Sequence, residues 1–369
     1  MRSIAPSYYY DDAVFRREHE RLFHREWQFI GLSDDVAADG DYVCQRIGDY
    51  SVVVQNFDGE LRAFSNVCSH RFSEIRQAEC GNGPLRCPYH GWTYNRDGVP
   101  TGIPSRPYFK NLKEQIPGLA LPRYAVETCG RFVFVRITPE GASLADALGG
   151  AGEALRNVST VLDHRIDRTE WVIEANWKVV VENTLEAYHV GFVHPQTFKP
   201  LGMKGLDFRF HGPHGGYLGA IDDSGNARAL KIRDHFAARP FQPAGYFHQL
   251  IFPNFLTSTS HGLVGSVQYH HAIAPGRTRM VSYLYHRAPD PGSRIRPEML
   301  EVLYAAAREF NVTTLNEDRV VCEAVQRGVR QTVKPGLLSD EEERIVHFHR
   351  AYLQTLDGVE AAPAAVRAA

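Results

Sequence analysis

Cys68-Ser69-His70 and Cys87-Pro88-Tyr89-His90 set two thiols and two imidazoles in two mixed pairs, sixteen residues apart. The second pair runs on into Gly91-Trp92-Thr93-Tyr94. Two thiolates and two neutral imidazoles at this spacing can hold a [2Fe–2S] cluster, cysteines on one iron and histidines on the other. Imidazole brings less negative charge than thiolate, so such a cluster has a raised potential and acts as an electron relay. A structural zinc site is the alternative. Against it, zinc sites draw each half from one residue type, a C-x-x-C pair and a separate histidine pair, whereas each half here mixes the two. The extended runs Arg62-Ala-Phe-Ser-Asn-Val67 and Trp92-Thr-Tyr-Asn-Arg-Asp-Gly98 place each pair at a loop tip between strands. Trp92 and Tyr94 are placed to shield the cluster, or to serve as ordinary core aromatics.

A relay needs a sink. The segment Asn176-Trp177-Lys178 through Glu182-Asn183, Glu186, Tyr188-His189 and His194-Pro195 holds the remaining chemistry. On a helix running from about 176 to 190, Glu182, Glu186 and His189 share one face. Gly191 and Pro195 loosen or end that helix and let His194 turn back toward His189. Two imidazoles plus one carboxylate form the facial triad of non-haem Fe(II) sites, which leaves positions open for O2. The carboxylate must come from elsewhere: Asp318, in Asn316-Glu317-Asp318-Arg319, with Glu317 as its rival. Taken alone, two histidines five apart read as satisfied core residues; beside a cluster they read as metal ligands.

The elements that position these groups fall into two patterns. Residues 11 to 29 alternate charge with Val14, Phe15, Leu22, Phe23, Trp27 and Phe29, a helical pattern ended by Gly31. From Asp41 to Arg136, short alternating runs such as Tyr50-Ser-Val-Val-Val-Gln55 are punctuated by turns such as Phe57-Asp58-Gly59, which reads as a small all-β domain. Residues 139 to 153 read as a loop and short helix. Strands follow between about 205 and 287, then helices near 296 to 330 and 339 to 356. The expected division is 1–37, a helical segment packing on the catalytic domain; 38–138, the cluster domain; 139–357, the catalytic domain; and 358–369, a frayed tail. The chain has 369 residues, enough for two cores. Its net charge of -2 makes no electrostatic case for nucleic acid or an anionic membrane. There is neither a transmembrane-length apolar run nor the apolar stretch of a signal peptide. Six scattered cysteines fit a reducing cytoplasm.

Cys87-Pro-Tyr-His-Gly-Trp-Thr-Tyr94, followed downstream by the N-W-K…E-N-x-x-E-x-Y-H-x-x-x-x-H string, resembles the catalytic α subunit of the Rieske non-haem iron oxygenases over almost the whole chain. The resemblance implies an α+β fold: a small all-β Rieske [2Fe–2S] domain and a helix-grip catalytic domain, an antiparallel sheet with a long helix. It implies that Cys68, His70, Cys87 and His90 bind the cluster, and that His189, His194 and Asp318 bind a mononuclear Fe(II). It implies a head-to-tail homotrimer in which Glu186 bridges the iron of one subunit to His70 or His90 of the next. It also implies a flavin or iron–sulfur reductase, with or without a ferredoxin, that carries electrons from NAD(P)H, and a small-molecule substrate oxidised with O2. Two departures stand out. Glu186 replaces the usual Asp, as in homotrimeric oxygenases of quaternary ammonium compounds such as carnitine or glycine betaine. Phe72-Ser73 stands where the family commonly has a glycine.

For the substrate, Phe192, Phe198, Met203, Phe208, Tyr217, Phe247, Phe255 and Tyr269 are candidate pocket aromatics, suited to a planar ring or to an alkylammonium held by cation–π contacts. Hydroxylation or N-demethylation of a quaternary ammonium compound is favoured slightly over monooxygenation or dioxygenation of an aromatic or secondary metabolite. His248, His261, His270 and His271 receive no role. A Rieske-type electron carrier without oxygenase activity is the non-catalytic rival; it needs only one small domain.

Overall fold

Valine-rich strands that bury both faces build the first half of the structure. In Tyr50–Phe57, Val52 and Val54 enter one core with Ile30, Val43, Val133 and Val135, while Val53 enters another with Phe64, Leu85, Trp92 and Tyr94. Successive side chains of a strand point to opposite faces, so one valine run serves two cores. The sheet is antiparallel and seven-stranded. Its order is Gln28–Leu32, Phe132–Arg136, Arg123–Cys129, Glu60–Ser65, Tyr50–Phe57, Asp41–Ile47 and Cys80–Asn82.

The structure is a computed structural model, and it describes residues 1–199, 203–221, 223–236, 241–242 and 245–358. The expected tail beyond 358 lies outside the described residues. The chain divides into two compact units, Phe23–Ala147 and Met1–Leu22 with Leu148–Ala369.

The helix expected over 11 to 29 is shorter. Asp11 caps it by accepting from the Ala13 and Val14 amides, the helix runs Asp12–Glu18, and a single wider turn follows at His19–Phe23. Residues Gln28–Leu32 are instead an edge strand, nearly all buried, paired with Phe132–Arg136. A short apolar run fits strand and helix equally, and here an available sheet edge decides. Gly31 therefore ends no helix; it sits at a register shift where a Cβ would come within 3.2 Å of Val43.

The second unit is α+β. Its antiparallel sheet orders as His164–Ile173, Arg277–His286, Val264–Ala274, Phe255–Ser260, Tyr246–Ile251, His214–Ile221 and Met203–His211. Three helices matter for the site: Trp177–Leu185, the 33-residue Pro297–Val329, and Glu343–Asp357. A further helix, Asp223–His235, interrupts the expected run of strands. Asn176 caps the first of the three, its side chain accepting from the Lys178 amide.

That helix is also pinned by a buried ion pair. Lys178 Nζ donates to Glu18 Oε1 at 2.5 Å, with both side chains 0% exposed. The other lone pairs of Glu18 are taken by Trp177 Nε1 at 3.0 Å and the Tyr352 hydroxyl at 2.6 Å. A buried pair is tolerable when its remaining hydrogen-bonding capacity is satisfied in this way. No helix among the described residues is long and apolar enough to cross a membrane.

Candidate functional site

The two cysteine loops are the same backbone turn used twice. The Cys68 amide donates to the Ser73 carbonyl, and the Phe72 amide to the Cys68 carbonyl; likewise Cys87 to Trp92 and Gly91 to Cys87. Both turns need a left-handed residue at the same place: Gly91 supplies it at φ 72°, Phe72 at φ 61°. The family's missing glycine is thus replaced by a strained phenylalanine that is 80% exposed.

Cys68 and Cys87 are buried at 1% exposure each, whereas His90 is exposed and His70 half-buried. The imidazoles lie with ring centroids 4.6 Å apart, and His70 stacks on Trp92 at 4.9 Å. The Tyr94 hydroxyl lies 3.1 Å from Cys68 Sγ and accepts from the Ser69 amide at 3.1 Å. Burial, and then the neighbouring Cys87 against the opposing pull of Tyr94, leaves the Cys68 thiol pushed up. Two thiols buried side by side are poorly placed as free thiolates. They are well placed to bind cationic iron. The thiol pair faces inward and the imidazole pair outward, so the donor set fits a cluster with one iron at the surface. Trp92 and Tyr94 are core residues packed with Cys68 and Cys87.

The second site differs from the expected shared helix face. The helix stops at Leu185 and Glu186 is extended, at φ -130° and ψ 168°. Glu182, within the helix, faces elsewhere: it accepts from the Tyr9 hydroxyl at 3.0 Å and pairs with His349 Nε2 at 2.9 Å. The break frees Glu186, whose carboxylate turns onward to the His189 Nδ1 and accepts from the His189 amide at 3.1 Å. A short helix, Val190–Val193, then returns His194 beside His189.

His189 Nε2 and His194 Nε2 lie 3.2 Å apart, with Asp318 Oδ1 at 3.5 Å and 3.0 Å from them. All three donors fit within 4.8 Å of one another. Asp318 Oδ1 is buried, and its approach to the rings lacks hydrogen-bond geometry. The outer nitrogens are occupied: Glu186 holds the Nδ1 of His189, and Glu317 holds that of His194 at 2.7 Å while accepting from the Thr197 hydroxyl at 3.1 Å. A carboxylate on Nδ1 fixes the tautomer that aims the Nε2 lone pair inward. Three lone-pair donors converging on one point fit a single divalent ion. Of the two rival acids, Asp318 joins the trio and Glu317 orients it.

Burial alone would lower the His189 imidazole, but the nearby Asp318 and Glu186 carboxylates outweigh it and lift it to about 9. His194 rises for the same reason, burial again opposed by Asp318 and Glu317. Asp318 is held down by the two imidazoles against its burial. A proton thus substitutes for the cation, and metal binding would release it.

The trio lies on the wall of a cavity of about 460 Å³, largely apolar. Phe198 packs on His194 with ring centroids 5.6 Å apart and meets Phe310 at 5.2 Å and Tyr246 at 5.9 Å; Tyr246 meets Tyr217 at 5.9 Å. Of the expected pocket aromatics, Phe198 and Tyr217 line this cavity. Phe192 is 79% exposed, Phe208, Phe247, Phe255 and Tyr269 do not line it, and the Met203 side chain lies outside what is described. Tyr246, Phe310 and the histidines at 248, 261 and 270 line it without having been assigned. Polar residues at every second position of Val264–Ala274, namely Ser266, Gln268 and His270, are the signal that marks this face.

Residues 26–116 match the family described as Rieske [2Fe-2S] domain, and residues 155–358 match Ring hydroxylating alpha subunit (catalytic domain). The chain is similar to the glycine betaine monooxygenase oxygenase subunit of Chromohalobacter salexigens, 33% identical over 54% of this chain and 44% of that one. It is similar to the chloroplastic choline monooxygenase of Spinacia oleracea, 28% identical over 95% and 77%. It spans about half the length of most curated relatives it matches, 52% for the carnitine monooxygenase oxygenase subunit of Escherichia coli. A quaternary ammonium Rieske monooxygenase crystallised with L-carnitine shares the fold at TM-score 0.79 and 20% identity, covering 96% of each chain. Naphthalene 1,2-dioxygenase with bound indole shares it at 0.76 and 20%, covering 96% of this chain and 92% of that one. With a Rieske domain ahead of a catalytic domain built around two imidazoles and a carboxylate, the chain belongs to the ring-hydroxylating α-subunit family.

Proposed function

We propose that this chain is the oxygenase component of a Rieske non-haem iron system. The observation that carries the reading is the convergence of His189, His194 and Asp318 on one point in the wall of an apolar cavity. Cys68, His70, Cys87 and His90 would hold the cluster, and His189, His194 and Asp318 the Fe(II). When bound, these centres supply electron relay and O2 activation. In balance, substrate, O2, two electrons and two protons yield either a product carrying one oxygen, and water, or a cis-diol that keeps both oxygens. Hydroxylation of an N-methyl group continues to the free amine and formaldehyde.

The chain's own residues contribute positioning and exclusion. Glu186 and Glu317 hold the imidazoles in one tautomer. Phe198, Phe310 and the aliphatic wall exclude water. Glu186 borders a surface where Tyr188 is 58% and Phe192 79% exposed, and Tyr89, beside His90, is 54% exposed. We infer that these aromatic surfaces belong to a homotrimer in which the partner's His70 or His90 comes up to Glu186. NAD(P)H would supply electrons through a separate reductase. Cys44, Cys68, Cys80, Cys87 and Cys322 form no disulfide, which supports a reducing compartment such as the cytoplasm.

Two substrate readings remain. The similarity to betaine, choline and carnitine oxygenases, Glu186, and the aromatic group at Phe198, Tyr217, Tyr246 and Phe310 favour a quaternary ammonium compound. A neutral aromatic or secondary metabolite is favoured by charge: among the described lining residues the only acids are Glu186 and Asp318, and both are engaged by histidines. Substrate-dependent O2 uptake with a surrogate reductase and NADH tests the reading, with product mass and formaldehyde followed together. Formaldehyde from a methylated amine, or oxygen added to it, supports the first class, and oxygen added to an aromatic or secondary metabolite supports the second. A preparation that binds two irons and consumes no O2 would make the chain an electron carrier.

A further inference from the structure

The sheet side of the cavity carries a polar stripe that the metal chemistry does not use. Ser266, Gln268 and His270 line the cavity from alternate positions of Val264–Ala274. Across the strand pairs Ser258 stands opposite Ser266, and Ser282 opposite Gln268. Gln268 Nε2 donates to Ser266 Oγ at 3.2 Å. His270 ends the stripe at 0% exposure, held by its backbone: its amide donates to the Asn254 carbonyl, and its carbonyl accepts from Asn254 Nδ2 at 2.8 Å. Among the described residues neither ring nitrogen of His270 has a hydrogen-bond partner, and Ser282 Oγ, also 0% exposed, has none either.

Burying polar atoms without protein partners is destabilising. Native structures rarely do so without a functional cause. An imidazole replaced by a phenyl ring would pack the same wall without that cost. The metal-facing groups come from the helical side of the cavity and the stripe from the sheet side, so a substrate lying between them meets both.

We propose that His270, flanked along the stripe by Gln268, is a specificity-determining contact for an uncharged hydrogen-bonding group, a carbonyl or hydroxyl, on an otherwise apolar part of the substrate. Burial keeps the imidazole neutral by pushing its pKa down to about 3. A neutral imidazole offers one N–H donor and one acceptor, which suits either group. It has no charge with which to hold a carboxylate. The inference applies to either substrate class: an alcohol-ended amine fits, and a carboxylate end is disfavoured at this wall. It rests on reading the cavity as a substrate chamber, so its test measures binding rather than turnover.

The full iron-loaded protein is titrated calorimetrically with 2-tetralone, tetralin and tetralin-2-carboxylate. The ratio of ketone to hydrocarbon affinity is expected to fall at least tenfold in His270→Phe, with the unfolding temperature unchanged or raised. An unchanged ratio, binding of neither ligand by the wild type, or preference for the carboxylate over the ketone would overturn the assignment. If His270→Phe does not fold, Gln268→Leu is expected to lower the same ratio at least threefold, and an unaltered ratio overturns the stripe. Intact discrimination in a protein that consumes no O2 would support the contact while counting against the oxygenase reading alone.

Discussion

Phe72 and Gly91 occupy the same position in two equivalent turns, each donating its amide to the carbonyl of the cysteine four residues earlier. Glycine reaches the left-handed region freely, while phenylalanine does so at φ 61° under strain. The ring is almost wholly exposed, so packing within its own unit does not hold it there. Phe72→Gly is expected to stabilise the Rieske unit by roughly 0.5–1 kcal/mol with unchanged visible absorption. Steady-state turnover should nevertheless fall if the ring contacts a second copy. A loss of thermal stability would show that the exposed ring is structural.

Glu317→Gln should weaken retention of the mononuclear iron by about 10–100-fold, because the carboxylate fixes the His194 tautomer from behind. Asp318→Ala should abolish retention. Both variants should keep the cluster absorption. Iron and acid-labile sulfide assays after dialysis separate the two cases, and equal losses would mean that both acids bind metal.

Glu186→Gln should still load at saturating Fe(II) while slowing electron transfer from the reduced cluster by at least tenfold. Stopped-flow reoxidation of the cluster in the presence of substrate and O2 measures this. Unaltered reoxidation would reduce Glu186 to an orienting group for His189.

Lys178→Met leaves the Glu18 charge buried with only Trp177 and Tyr352 to satisfy it. Breaking a buried pair from one side costs about 3–5 kcal/mol. Urea unfolding should show that loss, and adding Glu18→Gln should recover much of it. An equal loss in single and double variants would mean that packing matters more than charge.

His270 gives a pH dependence with a definite sign. Its folded pKa of about 3 lies below the ordinary histidine value, so between about 6.5 and 3 the unfolded chain binds the extra proton. Its contribution is therefore fully retained above pH about 6.5 and lost as pH falls, by at most about 1.4 kcal/mol per pH unit. His270→Phe should flatten that part of the stability profile. Parallel profiles for the two proteins would show that the ring titrates normally.

Residue types and spacing determined the chemistry. Cys68, His70, Cys87 and His90, the proposed cluster donors, were legible because each pair is local, held within a single turn. The long helices and the alternating strands were legible because their periodicity extends over many residues. Glu182 was misplaced for the opposite reason. Periodicity cannot show that the helix breaks after Leu185; the break turns Glu186 onto His189 and parts it from Glu182, which faces Tyr9 and His349 within the helix. The strand at Gln28–Leu32 depended on an open sheet edge about a hundred residues away in the chain. The choice between Glu317 and Asp318 turned on adjacent side chains leaving one helix in different directions, one toward the outer face of His194 and the other toward its metal-facing nitrogen. The unpaired ring of His270 could be recognised only once the sheet closed over it, because partnership is a property of space and not of sequence.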